Sequence, residues 1–204
     1  MTLLCFILFI SVVLSKSLVC EYQKSVDDDP AMFIAFDFGL CYYIDETESV
    51  EFERDGDKIT VNYYEGSSTC SGNKESETHN FDSQEIKSIC DIDEDNTVEI
   101  KKAPKHIGFI GIDDDENCTH PDNTMRLYYT DKCYKCSDKY CNYEVDNGWM
   151  YLNEYPNNKC NTEERLTHEK EWECDICNDD TLQQCGTVST MILFVVFAIF
   201  ALIL

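Results

Sequence analysis

Thirteen cysteines in 204 residues constrain this chain more than any other feature. A reducing cytosol keeps thiols free and scarce, so a density like this points to an oxidising compartment and a framework of disulfides. Pairing cannot be read from order, since even eight cysteines allow about 105 connectivities. What can be read is where the chain goes and how many cysteines go with it.

Both ends are apolar. Residues 3–14 (LLCFILFISVVL) form a run shorter than the roughly 20 residues a spanning helix needs but suited to the hydrophobic region of a secretory signal. Small residues place its cleavage after Ser17 or after Cys20. Residues 191–204 (MILFVVFAIFALIL) carry no polar side chain, and no Lys or Arg follows Lys170 to provide the basic flank of a stop-transfer helix. Residues 179–181, the spacer 182–190 and this apolar tail have the three parts of a glycosylphosphatidylinositol (GPI) attachment signal. Attachment is expected at Asp179, with Asn178 as second choice and Cys185-Gly186-Thr187 as third. A spanning tail is the competing reading.

Cysteine parity couples the two ends. If processing removes both Cys20 and Cys185, ten cysteines remain for five bridges; if both stay, twelve form six. Removing one alone leaves an odd thiol, which secreted proteins avoid. Attachment at Asp179 removes Cys185 and so favours a cut after Cys20. The expected half-cystines are then Cys41, Cys70, Cys90, Cys118, Cys133, Cys136, Cys141, Cys160, Cys174 and Cys177. The corresponding domain plan is a signal at 1–20, a β-rich ectodomain at 21–142, a cystine-containing appendage at 143–179 and a removed signal at 180–204.

Net charge is −24, a surface that repels nucleic-acid phosphates and keeps an exposed protein soluble. Nucleic acid is therefore excluded as a partner. Twelve Tyr and 11 Phe argue against an acidic disordered chain and for a packed domain.

The pattern along the chain is mainly β. Residues 21–30 are polar and read as an exposed lead-in, and 31–44 (AMFIAFDFGLCYYI) as one or two buried strands bent at Gly39. Residues 50–63 alternate on both sides of Asp55-Gly56, which predicts a hairpin with Val50 and Phe52 facing Ile59, Val61 and Tyr63. Residues 66–80 read as a hydrophilic loop pinned by Cys70. Short strands are expected at 85–89, 97–101, 107–112 and 125–130. One helix is expected at 162–173, capped by Asn161 with Glu164 reaching back. The fold class that follows is a small disulfide-rich extracellular domain, sandwich-like or an irregular sheet, with at most one short helix. No repeat of 20–50 residues is visible.

Chemistry-bearing patterns are few. Asp91, Asp93, Asp95 and Glu99 set oxygen donors in an EF-hand-like order, enough for weak calcium binding. Lys102 stands where the bidentate Glu belongs and Asn96 where Gly belongs, so an acidic turn is the plainer reading. Asp113–Glu116 reads as a solvated charged loop. Cys133-x2-Cys136 and Cys174-x2-Cys177 have zinc-site spacing, but secretion makes them half-cystines. Residues 136–142 (CSDKYCN) are similar to the closing C-x4-C-N element of three-finger (Ly6-type) surface domains, which are often lipid-anchored. The resemblance covers seven residues and the remaining cysteine spacing departs from that family, which is not assigned.

No G-x-S-x-G, H-E-x-x-H or glycine-rich phosphate loop is present, and His79, His106, His120 and His168 lie in polar surroundings. No catalytic residue, cofactor or enzyme activity is expected. Asn117-Cys118-Thr119 is the N-glycosylation acceptor. The expected function is a GPI-anchored surface glycoprotein for recognition, adhesion or reception of an extracellular protein or glycan. Exposed aromatics among Tyr128, Tyr129, Trp149, Tyr151 and Tyr155, within an acidic rim, would select basic or calcium-bridged partners. The alternatives are a structural coat protein without a ligand and a secreted hydrolase.

Overall fold

The computed structural model describes residues 16–90, 97–112, 118, 124–178 and 181–186. The chain is 59% strand and 6% helix, all its sheets antiparallel, with six disulfides. Its first half runs β1 (Ser17–Lys24), β2 (Pro30–Asp37), β3 (Cys41–Asp45), β4 (Glu48–Asp55), β5 (Lys58–Glu65), β6 (Glu75–Asn80), α1 (Gln84–Ile89) and β7 (Val98–Lys101). The second runs β8 (Gly108–Ile112), β9 (Arg126–Tyr129), β10 (Tyr134–Cys136), β11 (Lys139–Asp146), β12 (Trp149–Tyr155), β13 (Thr167–Glu173), β14 (Ile176–Asn178) and β15 (Thr181–Cys185).

The hairpin of β4 and β5 shows how alternation becomes packing. Phe52 pairs with Val61 and Val50 with Tyr63, around a two-residue turn whose first position, Gly56, has φ 63°. Only glycine takes that conformation without a steric cost. Phe52, Ile59 and Val61 are fully buried and meet Leu18 and Phe36 from β1 and β2. Each buried side chain of this kind stabilises by about 2 kcal/mol.

Three sheets result. Strands β14-β15-β8-β9-β2-β1-β7 form a seven-stranded sheet, and two four-stranded sheets, β3-β4-β5-β6 and β10-β11-β12-β13, pack side by side against one of its faces. This is a sandwich with two cores. Leu18, Phe36, Phe52, Ile59 and Val61 lie in the first; Tyr129, Tyr134, Tyr143, Met150 and Trp172 in the second.

The two halves are copies of one module. Aligning β4/β5 on β11/β12 by register superposes Cys41 on Cys133, Tyr42 on Tyr134, Glu53 on Glu144, Asp55 on Asp146, Asn62 on Asn153 and Tyr64 on Tyr155. The disulfide Cys41–Cys70 then matches Cys133–Cys160, and both closing cysteines have positive φ, 50° and 44°. The aromatic contact Phe36–Phe52 (4.4 Å) is repeated as Tyr129–Tyr143 (4.7 Å). In the large sheet β2 lies antiparallel to β9, with Ile34 opposite its own counterpart Leu127, so a pseudo-twofold axis passes between them. None of the six disulfides joins one half to the other.

Several expectations are corrected. The polar stretch at 21–30 is not a lead-in: β1 sits between β2 and β7, and Glu21 is buried beside Lys101 and Thr97. A domain boundary at 142 falls inside β11. Residues 85–89 form α1 rather than a strand, because the Ser83 hydroxyl caps the Ile86 N–H and one apolar residue, Ile86, suffices to dock a short helix. The expected helix at 162–173 is only a 3-10 turn at Thr162–Glu164, capped by Asn161, followed by β13. On that strand Trp172 turns inward opposite Met150 while its neighbours stay exposed. Within the expected loop at 66–80, β6 forms along β5 with polar residues on both faces. Twelve cysteines pair rather than ten: Cys20 with Cys90 and Cys185 with Cys174 complete the set.

Candidate recognition site

The outward faces of the two small sheets carry a buried polar unit at the same place. In the first module, the Asn62 amide donates to Glu53 Oε1 at 2.9 Å, and its carbonyl accepts from the Ser76 hydroxyl at 2.7 Å. Tyr64 donates to Glu51 Oε2 at 3.1 Å. In the second, the Asn153 amide donates to Glu144 Oε2 at 3.0 Å and to Asn142 Oδ1 at 3.1 Å, and Tyr155 donates to Asn142 at 3.2 Å. Asn62 and Asn153 are both essentially inaccessible, so each must have its partners inside the fold. What both modules keep is architecture.

What differs between them is open to other uses. Where the first module pairs Thr60 with Thr78, the second stacks His168 on Tyr151 with centroids 3.9 Å apart, and Lys170 covers Trp149 at 4.0 Å. His168 Nδ1 lies 2.6 Å from Asn153 Oδ1 and 3.1 Å from an Arg165 guanidinium nitrogen. Arg165 bridges Glu144 and Asn153. These side chains satisfy one another across the sheet.

The first module instead leaves an opening. Between β5, β6 and α1 lies a surface pocket of about 400 Å³, lined by Tyr63, Glu77, Gln84, Glu85, Ser88 and Ile89. Tyr63 and Ile89 supply apolar wall, and Glu77 and Glu85 supply charge. Burial, and then the charge of Glu77, push the Tyr63 phenol above its usual range, so it stays a neutral donor. Its own backbone N–H and then the Ser83 hydroxyl hold the Glu85 carboxyl below the usual carboxylate range. Glu77 also has the His79 ring nitrogen Nε2 beside it at 3.2 Å. In the second module the position of Tyr63 is taken by Glu154, which Lys139 neutralises at 2.6 Å, and no helix separates β13 from Cys174.

No family model, curated protein or solved structure matches this chain. The site therefore rests on its own geometry.

The aromatics expected as exposed anchors are mostly structural. Tyr129, Tyr151 and Tyr155 are buried, Tyr128 stacks on Phe33 at 5.1 Å, and Trp149 is half-buried under Lys170. Tyr63, which sequence alternation assigned to the hairpin's inner face, is the aromatic that reaches the pocket. Of the histidines, His168 is exposed and His79 half-buried. His106 lies against Tyr128 with Nε2 unpartnered, and burial pushes its pKa down. Neither C-x2-C pair bonds internally: Cys133 joins Cys160, Cys136 joins Cys141, Cys174 joins Cys185 and Cys177 joins Cys118. Glu99 lies on β7 and is paired with Lys101 at 2.8 Å. Asp91, Asp93, Asp95, Asn117, His120 and Asp179 lie outside the described residues, and Asn178 ends β14. Among the described residues no group of three His, Cys, Asp or Glu is placed to hold a metal, and no helix is long and apolar enough to cross a membrane.

Proposed function

We propose that this chain is a secreted, membrane-anchored recognition protein whose first module takes a lysine or arginine side chain of a protein partner into the pocket at Tyr63. The observation that carries this reading is the pocket itself, lined together by two carboxylates, an aromatic ring and an aliphatic side chain. A lysine or arginine has the matching form, a cation at the end of an apolar stem. The net charge of −24 adds long-range attraction for a basic partner and speeds encounter.

The disulfides place the working chain in an oxidising environment. In this reading the signal is removed after Ser17 rather than after Cys20, which is supported by the pairing of β1 and Cys20 within the sheet. A glycolipid, in the same reading, is attached beyond Cys185, at Gly186 or Thr187, which is supported by the position of β15 inside the sheet between β14 and β8. Asn117 carries the N-glycan. Keeping β15 shortens the spacer before the apolar tail, and this favours a spanning tail as the second reading of the anchor.

The test is binding of the secreted chain, ending at Gly186, to arginine- and lysine-containing peptides by calorimetry at low and high salt. A Glu77→Gln/Glu85→Gln variant is expected to lose at least tenfold in affinity, while Glu171→Gln on the other module keeps it. Equal binding by both variants, or preference for acidic peptides, rejects the reading.

A further inference from the structure

The contact that joins the modules is not held by any covalent bond except one short connection. No disulfide crosses the pseudo-twofold axis, and the modules meet where β2 pairs with β9 along Met32–Ile34 and Leu127–Tyr129, flanked by the Val26 N–H on the Cys133 carbonyl and by Lys132 on Asp29. The connection leaves β7 at Lys101 and enters β8 at Gly108. These strands lie four places apart in the sheet, about 19 Å at ordinary strand spacing. Lys101 is level with Asp37 of β2, whereas Gly108 is level with Met32, a further offset of roughly 16 Å along the strands. The path is thus about 25 Å, and a fully extended link from 101 to 108 reaches at most about 25 Å. Residues 102–106 adopt no regular structure, and Pro104 disfavours a helical turn at Ala103.

We infer that a second copy of this chain is a partner for the β2–β9 surface, through reciprocal exchange of whole modules. In the exchanged dimer each first module pairs with the second module of the other chain, across the same Ile34–Leu127 register. The connection is relieved of its full extension, and no contact within a module changes. A taut hinge between two self-contained units is the arrangement that favours such exchange.

Linker length and light scattering test this. The purified chain is expected to form monomer and dimer, with the dimer fraction rising with concentration during oxidative refolding. Inserting about eight Gly and Ser residues after Lys102, roughly 25 Å of extra reach, is expected to abolish the dimer. Deleting Ala103 and Pro104 is expected to make dimer the dominant folded form. Cutting a specific protease site in the inserted or native linker separates the outcomes further: an exchanged dimer falls to monomer-sized pairs of fragments, whereas an ordinary surface dimer keeps its size. A folded monomeric deletion variant, a dimer unaffected by insertion or by linker cleavage, or a wild-type chain monomeric at every concentration overturns the inference. If the deletion variant does not fold, the insertion and cleavage arms decide.

Discussion

Asn62 and Asn153 occupy the same position in two modules, each buried on the outward face of a small sheet with its amide on an equivalent glutamate, Glu53 or Glu144. A polar side chain removed from water in this way is retained only where its partners are in place. Replacing it strands them. Asn62→Leu leaves Ser76 and Glu53 without their shared partner, at an expected cost of about 1–3 kcal/mol. Asn153→Leu is expected to cost more, since Arg165 also loses an acceptor and His168 its nearest polar partner. The two sites share no partner, so the double variant should show nearly the sum of the single effects in chemical denaturation.

Glu21 and Lys101 form an ion pair on the face of the large sheet away from both cores, with Glu21 buried and Lys101 partly open to solvent. Lys101→Met leaves the buried carboxylate with Thr97 alone among the described residues, and a loss of about 3 kcal/mol is expected. The double variant Glu21→Gln/Lys101→Met should recover most of it. Partial burial opposes the charge on Lys101, but the hydrogen bonds it donates to Glu21 and Glu99 outweigh it and raise the pKa above 10.5. A raised cation stabilises the fold while it is protonated, so this contribution is complete below pH 10.5 and lost as pH rises through the folded pKa. Denaturation midpoints measured from pH 9 to 12 should fall more steeply for wild type than for the double variant.

Hairpin and compartment were legible in the sequence because their signals are local. Val50, Phe52, Ile59 and Val61 alternate, and alternation alone selects the inward face. The density of cysteines marks oxidation without regard to fold. The duplication is hidden because it survives mainly as Cys, Tyr, Glu, Asp and Asn at matched register positions, while core pairs have drifted, Phe52 to Tyr143, Ile59 to Met150 and Val61 to Leu152. Single-residue differences in the loops break the spacing further. Strands β6 and β13 are polar on nearly every residue and owe their form to pairing with β5 and β12, a tertiary cause that periodicity does not register. The pocket depends on α1 meeting β5 and β6, residues far apart in sequence, so Tyr63, Glu77 and Glu85 carry no shared local signal.

The two ends of the chain are the last and most direct test. Strand β15 fills the space between β14 and β8, and Cys185 holds it to Cys174 at the end of β13. Lipid attachment at Asn178 or Asp179 would remove that strand, leave the hydrogen-bonding edge of β8 open and free the Cys174 thiol. A chain truncated after Asn178 is therefore expected to be retained by the secreting cell or to form thiol-linked oligomers, whereas one truncated after Gly186 is secreted as a folded species. On intact cells, phosphatidylinositol-specific phospholipase C is expected to release a protein whose reduced and non-reduced masses differ by the hydrogens of six disulfides. Its first residue should be Leu18 and its last Gly186 or Thr187. Five disulfides, with Cys20 and Cys185 both missing, would restore the ten-cysteine chain and require β8 and β2 to be covered by other means. Failure of release, with residues 191–204 present in the mass, would instead assign those residues to the membrane as a spanning segment.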